Sequence, residues 1–99
     1  MTALIDTVLK IRSKNAGPFW LTIDIFCGTP AAFKTVSTSL TTRTVADCFQ
    51  IDEAVLKRFD ITDLNVIKFS LPRPSVQGVR ADRDMHGASF AHILGSLEV

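Results

Sequence analysis

From Phe19 to Cys27 the chain alternates, with Leu21, Ile23, Ile25 and Cys27 on one side and Trp20, Thr22, Asp24 and Phe26 on the other. A period of two residues is that of a β-strand with unlike faces. A second alternation, Leu64 to Leu71, turns Ile67, Phe69 and Leu71 toward a core. Pro72-Arg73-Pro74 stops it. These prolines remove backbone donors and hold Leu71 and Arg73 extended, so the exit is expected on an edge of the sheet or outside it. Between the two strands, Gly28-Thr29-Pro30 opens a helix, with Thr29 as N-cap, Pro30 in the first helical position, and Phe33 and Val36 on the buried stripe. Ser37 to Thr42 is rich in side chains that compete for backbone hydrogen bonds, which predicts a break. A second helix is expected from about Thr42 to Phe49, facing Val45, Ala46 and Phe49 inward.

Two stretches carry both periods. Leu4, Ile5, Val8 and Leu9 recur at helical spacing while Thr7, Leu9 and Ile11 permit a strand, which leaves residues 4–12 open. Ile51 to Phe59 fits a short helix capped by Asp52, and Val55 to Ile61 fits a strand. A polar loop through Gly78 and Asp84 leads to Ala88, Phe90, Ala91, Ile93, Leu94 and Leu97, a largely apolar segment expected to be helical to Gly95 and docked on the sheet.

A length of 99 residues suits a single domain over residues 1–99 with one core. No apolar run approaches the roughly 18 residues needed to cross a bilayer. Asp6 interrupts the N-terminal apolar run before a signal peptide can form, so a soluble, cytoplasmic protein is expected, with no membrane partner. A net charge of +1 gives no broad basic field, which makes nucleic acid a poor expectation. Cys27 and Cys48 have no neighbouring cysteine and no metal-like spacing; they could pair or one could serve as a nucleophile, but burial as core thiols is the first reading. His86 and His92 are six residues apart, against the three or four of helical zinc ligands, and His92 reads as a core histidine. No metal and no cofactor are expected.

Candidate chemistry lies in two basic stretches. Arg12-Ser13-Lys14-Asn15-Ala16-Gly17-Pro18-Phe19 reads as an amide-rich turn at the mouth of the sheet. There Arg12, Lys14, Asn15 and the backbone at Gly17 could grip a carboxylate or phosphate; a solvated loop accounts for the same residues equally well. In the second stretch Asp82, Asp84 and His86 offer general acid and base groups beside Arg80 and Arg83. Adjacent opposite charges more often form a self-neutralising loop. Asp24 is expected to pair with Lys68 across strands. Ser13, Ser37, Ser75 and Ser89 have no nucleophile-elbow context.

Arg12 to Phe19, Ile67-Lys68-Phe69-Ser70-Leu71-Pro72-Arg73-Pro74 and Asp82 to Ala88 together resemble a small bacterial and fungal family that accompanies AtuA-like (acyclic terpene utilisation) proteins. The likeness spans roughly Leu4 to Val99 and extends, more distantly, to the C-terminal ferredoxin-like domain of AtuA. Cys27-Gly28-Thr29-Pro30 departs from it, since relatives tend to carry acidic residues leading into the helix. The resemblance implies an α+β two-layer sandwich, ferredoxin-like, with a mainly antiparallel sheet and helices on one face. It implies a small subunit completing a larger AtuA-like chain that acts on branched or hydroxylated acids or their CoA thioesters, in a hetero- or homo-oligomer. In that setting Arg12, Lys14, Asn15, Gly17, Arg73, Arg80 and Arg83 would hold an anionic substrate. The alternative is a free-standing small lyase, isomerase or ligand-binding domain using Asp82, Asp84 and His86.

Overall fold

In the computed structural model, which describes residues 3–17, 19–72 and 94–99, the ambiguous N-terminal stretch divides. Helix α1 (Leu4–Thr7) buries Leu4, and strand β1 (Lys10–Asn15) follows. The expected turn from Arg12 is therefore mostly strand. Lys10, Arg12 and Lys14 alternate with Ile11, Ser13 and Asn15, and the ladder to β2 (Trp20–Phe26) claims the chain as far as Asn15. The turn itself narrows to a few residues around Gly17, whose φ of +83° suits a residue without Cβ.

Helix α2 (Pro30–Ser39) starts as its capping residues predict, the Thr29 hydroxyl accepting from the Ala32 amide at 3.1 Å. It ends at Ser39, and the expected break within residues 37–42 falls at Leu40 and Thr41, both extended; the Ser37 hydroxyl bonds back to the Lys34 carbonyl, so the helix continues past it. Thr41 caps α3 (Thr42–Cys48) in the same way. The second ambiguous stretch also divides. Asp52 caps a single 3₁₀ turn, Glu53–Val55, and strand β3 (Lys57–Ile61) comes next. A second 3₁₀ turn, Thr62–Leu64, leads through left-handed Asn65 into β4 (Val66–Pro72), so Leu64 lies outside the strand expected to contain it.

The sheet is antiparallel throughout, in the order β1-β2-β4-β3. Two local hairpins thus join along a seam between β2 and β4, and no βαβ crossover links neighbouring strands among the described residues. Pro72 ends a central strand rather than an edge one. Its missing donor is harmless there, because β3 reaches only to the Lys57–Ser70 pair and leaves nothing beside Pro72 on that side.

One face of the sheet carries Leu21, Ile23, Ile25, Ile67, Phe69 and Leu71, all fully buried. Val36 and Leu40 at α2, Val45 and Ala46 from α3, Leu4 and Leu94 close over them as one cluster. Each such aliphatic or aromatic side chain contributes roughly 1.5–3 kcal/mol on burial, so this layer holds the helices to the sheet. The result is a small α+β two-layer sandwich. Leu94 and Gly95 are helical, as expected; residues 88–93 of that predicted segment lie outside the described residues. Cys27 is buried, but Cys48 is only half-buried.

Candidate functional site

The other face of the sheet has no described helix over it. The register sets its side chains in three rows, with strands about 4.8 Å apart. One row is Lys10, Phe26, Val66 and Ile61; the next is Arg12, Asp24, Lys68 and Phe59; the third is Lys14, Thr22, Ser70 and Lys57. Among the described residues, five of the eight Lys and Arg side chains belong to this face, but one of the eight Asp and Glu side chains, Asp24. The net charge of the chain conceals this segregation. Strand alternation collects on one surface cations that composition averages away.

Arg12, Ser13, Lys14, Asp24 and Phe26 line a depression of about 220 Å³ at the β1 side of this face. Asp24 sits opposite Arg12 on one side and Lys68 on the other. The expected Asp24–Lys68 ion pair does not form: among the described residues the ion pair within 4 Å is Arg58 with Asp60, on the opposite face. Long side chains leaning along a twisted sheet can be register partners with their charges apart. Two other cations rest on aromatic rings. Lys10 Nζ lies 4.9 Å from the Phe26 ring centroid, and Lys57 Nζ lies 5.4 Å from that of Trp20. In the middle of the face the Thr22 hydroxyl oxygen is buried and has no hydrogen-bond partner.

The predicted anion-binding residues separate. Arg12 and Lys14 line the depression; Asn15 belongs to the opposite face of β1, and Gly17 sits in the turn beyond it. Arg73, Arg80 and Arg83, the proposed acid and base groups Asp82, Asp84 and His86, and also His92, lie outside the described residues. Sequence reasoning missed Lys10, Lys57, Lys68 and Phe26 as companions of Arg12. The signal was present as Lys10, Arg12 and Lys14 at spacing two, the repeat of a strand face.

Chemically, the guanidinium of Arg12 and ammonium of Lys14 can donate to a carboxylate or phosphate, while the Asp24 carboxylate can accept from a hydroxyl or ammonium group. The Phe26 ring supplies an apolar wall. The thiols are less suited to chemistry. Burial, and then the negative charge of Asp60, push the Cys27 thiol up, and burial pushes up Cys48. Both therefore favour the protonated, weakly nucleophilic form. Among the described residues no three His, Cys, Asp or Glu side chains gather as a metal site, and no helix is long and apolar enough to cross a membrane.

Neither a curated protein nor a solved structure matches the chain. Residues 4–98 match a family described as Domain of unknown function (DUF4387). With all but a few terminal residues inside that match, the chain belongs to the DUF4387 family.

Proposed function

We propose that the chain is a small subunit that assembles with a larger AtuA-like catalytic chain acting on branched or hydroxylated acids or their CoA thioesters, and that it contributes part of the anion-binding site. The observation that carries this reading is the depression in which Arg12 and Lys14, neither engaged in an ion pair with another described residue, stand beside Asp24 and Phe26. Two cations, one carboxylate and one ring are complementary to a small acid bearing a hydroxyl and an alkyl branch.

Size supports a shared site. Complete ligand sites enclose about 300–1,000 Å³. The depression, at about 220 Å³, is smaller, so it suits one end of a ligand whose remainder is held by another chain. The resemblance to the family accompanying AtuA-like proteins supplies the identity of that chain and the class of substrate.

Co-expression of the full chain with an AtuA-like protein, followed by affinity purification and a screen of hydroxy acids and CoA esters, tests the reading. Co-purification, with turnover lost in an Arg12→Ala, Lys14→Ala double variant that still co-purifies, is the expected result. An AtuA-like chain that neither binds this subunit nor changes its activity with it overturns the proposal.

A further inference from the structure

Among the described residues strand β3 is an edge strand with no strand on its outer side, and that side is self-complementary. The Cys27 amide donates to the Asn65 carbonyl at 2.9 Å, which fixes the phase of the β2–β4 ladder. Backbone groups alternate in direction along an antiparallel strand, so Ile67, Phe69 and Leu71 address β2 while Val66, Lys68 and Ser70 address β3. Their partners Ile61, Phe59 and Lys57 are thereby satisfied, and the N–H and C=O groups of Arg58 and Asp60 point away from the sheet.

We infer that this edge pairs with a second copy of the chain, antiparallel about a two-fold axis at Phe59. In that register Arg58 faces the partner's Asp60 and Asp60 faces the partner's Arg58, so the four outward backbone groups of each copy all find partners. Phe59 meets its own symmetry mate as an aromatic pair, and Lys57 falls opposite the partner's Ile61. Opposite charges face each other at both charged positions, and no like charges do. The other edge contrasts with it. Pairing β1 with itself would bring Lys10, Arg12 and Lys14 against the same three cations, an arrangement that repels.

Exposure agrees with this choice of edge. Phe59 is 51% exposed, and Val55 and Leu64, which flank the two ends of β3, are 43% and 67% exposed. Association would cover these apolar side chains together. A two-fold axis perpendicular to the sheet keeps like faces on the same side, so the cationic face would continue over eight strands. The inference is independent of what the depression near Arg12 binds.

Sedimentation of the full chain over a dilution series tests it, together with two variants. The wild-type mass is expected to rise with concentration from the 10.9 kDa of one chain toward twice that value. Phe59→Lys, which sets two ammonium groups together on the axis, is expected to abolish the rise while leaving the circular dichroism spectrum and melting point of the single chain intact. In a Cys48→Ser background, Phe59→Cys is expected to form a disulfide-linked dimer under mild oxidation, since facing non-hydrogen-bonded residues lie about 4.5 Å apart at Cα, within disulfide range. Lys57→Cys, which faces Ile61 and not itself, is the control. A wild-type chain that stays monomeric at its solubility limit, association unaffected by Phe59→Lys, or cross-linking no faster at residue 59 than at residue 57 overturns the inference.

Discussion

Arg58 on β3 and Leu40 at the C-cap of α2 are joined by a hydrogen bond of 2.6 Å, in which Nη1 donates to the Leu40 carbonyl. The same guanidinium donates from Nη2 to the Ser37 carbonyl at 3.0 Å and from Nε to Asp60 Oδ1 at 2.8 Å. The last carbonyls of a helix have no acceptor role within it, and a cation there also complements the helix dipole. One side chain thus fastens the end of α2 to the sheet edge. Arg58→Ala is expected to lower unfolding free energy by about 2–4 kcal/mol, read by urea denaturation. Arg58→Lys should recover little of it, because a single ammonium cannot span three acceptors set by a planar fork.

Thr22→Val is expected to leave stability unchanged or raise it by about 0.5–1.5 kcal/mol. The hydroxyl oxygen is buried without a partner, whereas the methyl groups of valine fill nearly the same shape and suit a central strand. A thermal melt that falls by several degrees would show that the hydroxyl is stabilising where it stands.

Arg12→Ala and Lys14→Ala should fold as the wild type does, since both side chains are exposed and outside the core. Each should weaken binding of a small hydroxycarboxylate, followed by NMR titration, by about 10–100-fold, the worth of one charge-assisted hydrogen bond. Added salt should weaken wild-type binding and affect the double variant less. Equal affinity in wild type and double variant would remove the depression as an anion site.

Alkylation should modify Cys48 before Cys27, because Cys27 is 3% exposed and Cys48 is half-buried. Burial, joined by the Asp60 charge at Cys27, holds the native thiols above the ordinary range. The unfolded chain then loses these protons first as pH rises. Their contribution to stability is complete below the unfolded thiol value of about 8.5 and is lost as pH climbs through the higher native value. The melting temperature should accordingly fall in alkaline buffer, and less steeply in Cys27→Ala after correction for its lost packing.

The strands were legible where one face is apolar throughout. Leu21, Ile23 and Ile25, like Ile67, Phe69 and Leu71, repeat every second residue, and the caps at Thr29 and Asp52 carry side-chain acceptors where a helix and a turn begin. Strand β1 was obscured because Ile11 is its one large apolar residue, and an edge strand with three cations looks locally like a loop. Only pairing with β2 distinguishes them. The candidate site was half legible for the same reason: Arg12 and Lys14 stood out as basic residues, but their companionship with Asp24, Phe26 and Lys68 depends on register across strands distant in sequence.

Among the described residues, five cations and a single carboxylate on the open face of the sheet give that face a positive charge that a net charge of +1 does not reveal. In physiological salt the field of that face decays over about 8 Å, roughly the thickness of a few layers of water. A polyanion would be turned to meet the cationic face only in the last moments before contact. Capture would therefore slow markedly as ionic strength rises, even though measures of overall charge portray the chain as indifferent to salt.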